Sequence, residues 1–191
     1  VALSAPLARY SHTLYKRLEP FRLRLERPGS HPDAEPERLE GTVLVVGMGR
    51  TGDAVYRVLE AQGESPVGLD ADPAKVERHR EKGRRVLYGD AEDPELWERL
   101  DLRGLKAVVL ALPDLEAKTL AARWLKERGF QGLVAATSYF PEEDPVLAQE
   151  GAHLIFHPFQ EAGERLGERV LESLAIMGKV NYGRSQQMGS D

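Results

Sequence analysis

Three glycines follow a short apolar run and stand in the spacing G-x-G-x-x-G. They are Gly47, Gly49 and Gly52, and the run before them reads Val-Leu-Val-Val. In a strand–turn–helix unit, the first glycine permits a tight turn, the second lets backbone amides approach a phosphate, and the third lets the helix pack closely on the sheet. The free amides and the dipole at the start of that helix attract an anion. The spacing therefore predicts a phosphate-binding loop at residues 47–52, whose other members are Met48, Arg50 and Thr51.

An acidic residue, Asp70, ends the next apolar run, Pro-Val-Gly-Leu-Asp. It stands about 20 residues beyond the loop, where a carboxylate accepts hydrogen bonds from the ribose of an adenine nucleotide. Because such a carboxylate repels a 2′-phosphate, NADP is disfavoured as a ligand. Asp72, which follows Ala71, is a weaker candidate for the same contact and a stronger one for capping the next helix.

A Gly-Asp-Ala turn follows the third strand-like run, where the adenine ring lies in a Rossmann crevice. Its residues are Gly89, Asp90 and Ala91. Either the Asp90 carboxylate accepts a hydrogen bond from the adenine amino group, or it caps the following helix, or the segment is only a turn. Leu112, after the fourth run, is expected to form the far wall of the crevice.

Strand-like runs alternate with helix-like stretches from residue 41 onward. The runs lie at 43–46, 66–69, 85–88, 106–112, 132–136 and 153–156, and the helices near 50–62, 73–82, 93–100, 114–128, 143–150 and 160–176. Strict alternation predicts a parallel sheet covered on both faces. We therefore expect an α/β fold, namely a Rossmann-like doubly wound six-stranded parallel sheet with an N-terminal helical extension and a C-terminal helix.

Composition divides the chain into three segments. Residues 1–40 form a basic helical stem and linker, residues 41–174 the nucleotide-binding domain, and residues 175–191 a C-terminal tail. The stem either packs on its own domain or lies next to a membrane, where Arg and Lys collect. The last helix either packs on its own sheet or contacts a partner through an apolar face beside two glycines; the residues are Ala162, Leu166, Val170, Leu174, Gly163 and Gly167.

Missing residue types and patterns exclude several classes of function. With no Cys, the chain has no disulfide, thiolate nucleophile or Cys-ligated metal. The net charge is −5, and the negative charge lies outside the basic stem. This argues against nucleic-acid binding, which needs a basic surface. No His, Asp and Glu cluster has metal-ligand spacing, and no Tyr-x-x-x-Lys pair or substrate lobe accompanies the loop, so we predict no metal site and no catalytic residue.

Two further expectations concern large and titratable side chains. His79 stands in a stretch rich in Arg and Glu and is expected to be solvated. The largest aromatic residues are expected in the core rather than at an interface; they are Trp97, Trp124, Phe156 and Phe159.

The loop Gly-Met-Gly-Arg-Thr-Gly, the acid Asp70 and the segment Gly-Asp-Ala-Glu-Asp-Pro together resemble the RCK (regulator of K+ conductance), or TrkA-N, domain. The chain is similar in particular to the cytosolic domain of glutathione-gated potassium efflux antiporters of the Kef type, over about residues 41–174. By position, the resemblance assigns residues 47–52 to the phosphate loop, Asp70 to the ribose, and Asp90 with Ala91 to the adenine-side turn.

The resemblance implies a regulatory module rather than an enzyme. It implies that AMP or NAD(H), with ATP as a further candidate, binds in the crevice of a homodimer. The ligand would then gate potassium or cation transport by an attached or associated membrane transporter, at the cytoplasmic face of the cell membrane. Lys118 replaces the Asn of many relatives, so control by glutathione is not implied. Two other functions stay open: a small NAD-dependent oxidoreductase and a free-standing redox-sensing or transcription-associated Rossmann protein.

Overall fold

The computed structural model describes residues 37–39 and 42–187, and the predicted helical stem lies outside these residues. The strands are β1 Glu37–Arg38, β2 Val43–Val46, β3 Pro66–Asp70, β4 Val86–Tyr88, β5 Leu100–Asp101, β6 Ala107–Leu110, β7 Leu133–Thr137 and β8 Leu154–Phe156. The helices are α1 Arg50–Ala61, α2 Pro73–Arg80, α3 Pro94–Arg99, α4 Leu115–Glu127, α5 Asp144–Gln149 and α6 Pro158–Gln187, with a 3-10 turn at Pro141–Glu143.

Six of the strands form one sheet in the order β4-β3-β2-β6-β7-β8. All neighbouring strands in this sheet pair in parallel. The strand order reverses between β2 and β6, so the chain winds outward in both directions from the centre. The predicted Rossmann-like doubly wound six-stranded parallel sheet is confirmed.

The central strand β2 is buried on both faces, as the continuous apolar run predicts. Val46 belongs to a core cluster with Trp97 of α3 and Leu125 of α4. Val45 points to the opposite face and joins a second cluster with Tyr56 of α1. Helices therefore cover both faces of the centre of the sheet, and the predicted core position of Trp97 is confirmed.

Aspartate residues start three of the helices at the crevice edge of the sheet. Asp72, Asp93 and Asp114 are the N-caps of α2, α3 and α4, and each carboxylate accepts a backbone N–H from the first turn. Proline at the first helical position fixes the start of α2 and α3. These caps set where each strand ends and each helix begins, and so fix the loops between them.

A short second ladder lies apart from the six-stranded sheet. β1 and β5 pair in parallel, with Glu37 opposite Leu100 and Arg38 opposite Asp101. The sequence patterns predict a linker and a helix end at these positions instead. Leu100 leaves α3 with an extended backbone and is buried, so its side chain holds the ladder against the core.

The last helix differs most from its prediction. α6 continues to Gln187, beyond the predicted end near residue 176, and its residues 159–177 are all exposed. Phe156 and Phe159 are 38% and 71% exposed, so the prediction that they are core residues is wrong. Among the described residues, no helix combines the length and apolarity needed to cross a membrane.

Candidate functional site

The carboxyl ends of four strands meet at one edge of the sheet. The register places Val46 beside Leu69 and Leu110, and Asp70 beside Tyr88. The glycine loop leaves β2 at this edge, next to the point where the strand order reverses. In open α/β sheets, ligands bind in the crevice at such a point. The topology therefore brings the predicted loop, ribose acid and adenine-side turn to one edge.

Gly47 and Gly52 are required by the shape of the loop. Gly47 has a φ of +89°, and a Cβ there would lie 2.8 Å from the carbonyl oxygen of Ala111. A Cβ at Gly52 would lie 1.8 Å from the carbonyl oxygen of Gly47. Both positions therefore exclude any side chain: the segment after β6 lies against Gly47, and the first turn of α1 packs on the loop at Gly52.

Gly49 is different, because the space in front of it is open. It is the N-cap of α1, it carries no capping side chain, and a Cβ there would have no atom within 4 Å. The first amides of a helix have no intrahelical acceptor, so those that follow Gly49 are available to an anion. Arg50 is exposed and Thr51 half-buried at the same helix end.

The Asp70 carboxylate is buried and joins the glycine loop to the start of α2. Its Oδ2 accepts the N–H of Met48 at 2.8 Å, and its Oδ1 accepts the N–H of Asp72 at 2.9 Å. The Lys75 ammonium lies 3.3 Å from Oδ1 and 3.4 Å from Oδ2. A ribose hydroxyl would therefore compete with Lys75 for the same carboxylate oxygens.

Asp72 caps α2, as the sequence favours. Its Oδ1 accepts the N–H groups of Ala74 at 2.9 Å and Lys75 at 3.4 Å. Ala71, between the two aspartates, is exposed at the crevice edge. The cap occupies Asp72 Oδ1, whereas Asp70 is the carboxylate that contacts the glycine loop.

The turn after β4 is held by its own hydrogen bonds. Asp90 is exposed, and its Oδ1 accepts the N–H of Glu92 at 3.0 Å. Ala91 is buried, and its carbonyl oxygen accepts the indole N–H of Trp97 at 2.9 Å. Because Asp93 caps α3, the alternative in which Asp90 is that cap is wrong.

Gly89 and Leu112 follow β4 and β6 at the same edge of the sheet. Gly89 donates its N–H to the carbonyl oxygen of Asp70 at 3.1 Å, and a Cβ there would lie 2.8 Å from Leu96 Cδ1. Leu112 is half-buried, and its Cδ2 lies 3.1 Å from the Cβ position of Gly47. Gly89 and Leu112 thus follow strands on opposite sides of β2, and their contact with a ligand stays a prediction.

On the β6–β7 side, a buried ion pair occupies the strand ends. The Lys118 side chain is fully buried, and its ammonium donates to the carbonyl oxygen of Thr137 at 2.9 Å and to Glu143 Oε2 at 2.8 Å. The ammonium also lies 4.9 Å from the centre of the Tyr139 ring. The sequence does not predict this cluster, since a lysine in an amphipathic helix ordinarily reaches solvent.

A second buried cluster lies directly behind the glycine loop. His79 is 6% exposed, so the prediction that it is solvated is wrong. Its Nε2 lies 3.1 Å from the carbonyl oxygen of Met48, and its Nδ1 lies 2.9 Å from Arg84 Nη1. Arg84 also donates to Asp53 Oδ1, and this hydrogen bond lowers the pKa of the Asp53 carboxyl below its usual value. The Arg84 guanidinium covers the Tyr56 ring at 5.1 Å.

Within the part of the chain that the structure describes, the remaining site chemistry is limited. No group of three or more His, Asp and Glu side chains there is arranged to hold a metal ion. Every buried polar side-chain atom among these residues has a hydrogen-bond partner. The polar edge of the sheet is therefore organised around backbone amides and two satisfied ionic clusters.

Comparison with known proteins agrees with this geometry. The family model of the TrkA-N domain matches residues 43–158, which include all six strands of the main sheet. Among relatives, the Ktr system potassium uptake protein C of Bacillus subtilis is 28% identical over 131 residues, 68% of this chain and 58% of that protein. A glutathione-regulated potassium-efflux system protein KefC of an Enterobacter species is 33% identical over 156 residues, 80% of this chain and 25% of that protein. The chain thus spans about half the length of the first and a quarter of the second.

Solved structures show the same fold. The Kef CTD of Shewanella denitrificans in its AMP-bound form superposes with a TM-score of 0.59 and 23% identity, covering 69% of this chain and 80% of that one. The GsuK channel bound to NAD superposes with a TM-score of 0.55 and 19% identity, covering 79% of this chain and 26% of that one. The family match, the relatives and the fold agree, and the chain belongs to the TrkA-N domain family.

Proposed function

We propose that this chain is a ligand-sensing regulatory domain that binds an adenine nucleotide, AMP or NAD(H), and controls potassium or cation transport. The observation that carries the proposal is the open N-terminus of α1 at Gly49, set beside the buried Asp70 carboxylate at the reversal of strand order. This arrangement offers amides to a phosphate and a carboxylate to a ribose within one crevice.

In the proposed complex, the phosphate lies on the amides of residues 49–52, and Arg50 adds a charged contact. The ribose hydroxyls bind Asp70 and displace part of its contact with Lys75. The adenine ring lies between the turn at Asp90 and Ala91 and the side chain of Leu112. A 2′-phosphate is disfavoured because the negative charge of the Asp70 carboxylate would repel it.

The relatives support the choice of ligand and the role. A Kef domain of the same fold is solved with AMP and the GsuK channel with NAD, so this architecture holds both kinds of adenine nucleotide. The two relatives named above take part in potassium uptake and potassium efflux. We propose that this chain likewise works at the cytoplasmic side of a membrane transporter, attached to it or associated with it.

Regulation of this kind requires the ligand to bind one state of the transporter better than another. A coupling free energy of about 1–3 kcal/mol is typical for such effects. Tight binding alone produces no gating, because a ligand with equal affinity for both states shifts nothing. The proposed domain therefore needs a surface through which its ligand state reaches a neighbour.

We propose that this surface is a homodimer interface formed with a second copy of the chain. Leu166, Val170 and Leu174 lie along one exposed face of α6 at helical spacing, and Leu154 and Phe156 are exposed on the adjoining edge strand β8. An apolar helix face and an apolar sheet edge on one chain suit each other across a two-fold axis. Gly163 and Gly167, whose Cβ positions are open, permit close approach of a partner helix.

Calorimetric titration with AMP, ATP, NAD+ and NADH tests the ligand. We expect AMP to bind at least as tightly as NAD+, since a sensor of the adenosine half has no need of the nicotinamide. Titration with 2′,3′-dideoxy-AMP tests the ribose contact and leaves the loop intact, unlike removal of Asp70, which also frees the amide of Met48. Tight binding of NAD+ with turnover of a metabolite, and no binding of AMP, would establish an oxidoreductase instead.

A further inference from the structure

We infer that His79 is a positioning residue for the phosphate loop: its Nε2–H holds the Met48 carbonyl so that the next amide points at the bound phosphate. The inference rests on the proposed function, because the loop must bind a phosphate for the orientation of its amides to matter. His79 belongs to α2, so it acts on the loop from outside the glycine motif.

The neighbours of His79 fix which ring nitrogen carries the proton. Its Nδ1 lies 2.9 Å from Arg84 Nη1, and a guanidinium only donates hydrogen bonds. Nδ1 must therefore accept, and in the neutral ring Nε2 must carry the hydrogen. Nε2 lies 3.1 Å from the carbonyl oxygen of Met48, which accepts that hydrogen. The arrangement satisfies both ring nitrogens in one tautomer.

The direction of the next amide follows from the planarity of the peptide. The described backbone contains no cis peptide bond, so the C=O of Met48 and the N–H of Gly49 point to opposite sides of the chain. Since the carbonyl points inward to His79, the Gly49 N–H points away from the core. No atom lies within 4 Å of the position that a Cβ on Gly49 would take. The loop is therefore open to a ligand on this side, and the amide can reach it.

The backbone N–H and the backbone carbonyl of Met48 both form buried hydrogen bonds, and these fix the orientation of the loop. Its N–H donates to Asp70 Oδ2 at 2.8 Å, and its carbonyl accepts from His79. Its side chain is 2% exposed and lies where a Cβ at Gly68 would meet its sulfur at 2.7 Å. Turning the Met48–Gly49 peptide over would break the buried hydrogen bond from His79, while Asp70 holds the preceding peptide in place. A buried polar group left without its partner costs more than the hydrogen bond gains when formed.

Charged groups on α1 hold His79 in turn. Asp53 Oδ1 accepts from Arg84 and lies 3.8 Å from His79 Nδ1. Arg57 pairs with the other Asp53 oxygen at 3.3 Å. Asp53 stands in the first turn of the helix that begins at Gly49, so the cluster joins α1, α2 and the loop into one unit.

The test separates orientation of an amide from general stability by comparing two ligands. AMP and adenosine differ in the phosphate alone, so a loss confined to phosphate binding changes the ratio of their affinities. The variants are His79→Leu, which removes the donor, and His79→Gln, whose side-chain N–H reaches to about the place of Nε2. His153→Leu, just before β8, is the matched control, since it also removes one imidazole hydrogen bond, the one that Nδ1 accepts from the Val134 N–H at 3.1 Å.

Calorimetry should show that His79→Leu weakens AMP binding by about tenfold, the effect of one lost hydrogen bond, while adenosine binding stays the same. His79→Gln should restore most of the AMP affinity, and His153→Leu should match the wild type. Should His79→Leu fail to fold, Arg84→Met provides the same comparison, because it removes the group that selects the His79 tautomer. The ratio of AMP to adenosine affinity should then be lower in Arg84→Met than in the wild type.

Two results would overturn the inference. One is an unchanged ratio of AMP to adenosine affinity in His79→Leu, whether both ligands bind normally or both weaken together. The other is a His79→Gln protein that binds AMP as poorly as His79→Leu. A wild-type protein that binds neither ligand contradicts the proposed function instead, so the two failures are distinguishable.

Discussion

In the half of the sheet built by β2, β3 and β4, polar groups at the strand ends converge on a loop with open space before it. In the half built by β6, β7 and β8, the polar groups at the strand ends are used by the buried pair of Lys118 and Glu143. The first half leaves backbone amides available at Gly49, whereas the second leaves apolar side chains exposed on β8 and α6.

This contrast assigns the two tasks of the proposed sensor to different parts of one sheet. A ligand needs polar groups that are fixed in direction but still free to form hydrogen bonds. Asp70 and His79 fix the loop in this way, and they leave the amides after Gly49 free. A protein partner needs exposed apolar surface, which the described residues of the first half mostly bury. We therefore expect changes in the second half to affect stability and assembly, and changes in the first half to affect the ligand.

The largest expected effect is that of Lys118→Met. Removing the ammonium leaves the Glu143 carboxylate buried without its charged partner, which typically costs about 3–5 kcal/mol. The unfolding midpoint in urea should fall accordingly, while AMP affinity of the folded protein changes little. The double variant Lys118→Met with Glu143→Gln should recover part of the loss, because an amide oxygen still accepts the N–H of Tyr139. An equal loss in both variants would show that packing rather than charge is responsible.

A second prediction compares two glycines of the same loop. Gly52→Ala places a Cβ against the Gly47 carbonyl and should lower the free energy of unfolding by about 3 kcal/mol, as severe overpacking does. Gly49→Ala meets no atom and should cost about 1 kcal/mol or less, chiefly through the weaker helix cap. Gly49→Ala should nevertheless weaken AMP binding, since its methyl group points into the proposed phosphate site. Full AMP affinity in Gly49→Ala would mean that the phosphate lies elsewhere.

The third prediction concerns assembly. Leu166→Glu with Val170→Glu puts two carboxylates on the exposed face of α6. Sedimentation equilibrium should then find a monomer, whereas we expect the wild type to be a dimer. Because both residues are exposed, the fold itself should change by no more than about 0.5 kcal/mol. Gln160→Glu with Glu161→Gln, earlier in α6 and unchanged in net charge, is the control. A wild-type protein that is monomeric at all concentrations would contradict the homodimer.

The sequence predicts the two halves unequally well. The glycine spacing and the continuous apolar runs are local signals, and the structure confirms the doubly wound parallel sheet and the Asp72 cap of α2. The need for glycine at residue 52 also follows from local geometry, because its Cβ would meet the Gly47 carbonyl of the same loop. At Gly47 the positive φ is local, but the contact with the Ala111 carbonyl comes from the neighbouring strand.

What escapes prediction depends on tertiary neighbours. His79 looks solvated among Arg and Glu, yet its ring is buried because Arg84 and the Met48 carbonyl satisfy both nitrogens. From its sequence context Lys118 would be a surface lysine, but its ammonium is buried in a hydrogen bond with Glu143, 25 residues along the chain. Phe159 looks like a core residue, but α6 leaves the sheet and carries it outward. The Met48 carbonyl and Glu143 are remote in sequence from the side chains they bind, and the exposure of Phe159 depends on the direction of α6, so no spacing rule reveals these positions.

The smallest effect expected is on the pH dependence of stability, and it compares one carboxylate from each half. The hydrogen bond from Arg84 lowers the pKa of Asp53, and those from Ser138 and then His157 lower the pKa of Asp144. A carboxyl with a lowered folded-state pKa stabilises the protein above its unfolded pKa, near 3.8, and loses that contribution as the pH falls through the folded value.

Asp53→Asn and Asp144→Asn should therefore each be less stable than the wild type at neutral pH, by under about 1 kcal/mol for such solvent-accessible pairs, and should approach it below pH 3.8. Urea unfolding between neutral and acid pH measures both. AMP titration then separates the halves: Asp53 holds Arg84 and through it His79, so Asp53→Asn should weaken AMP binding, whereas Asp144→Asn should not. If both variants lowered AMP affinity equally, the two halves would share the ligand, and the division of tasks between them would be wrong.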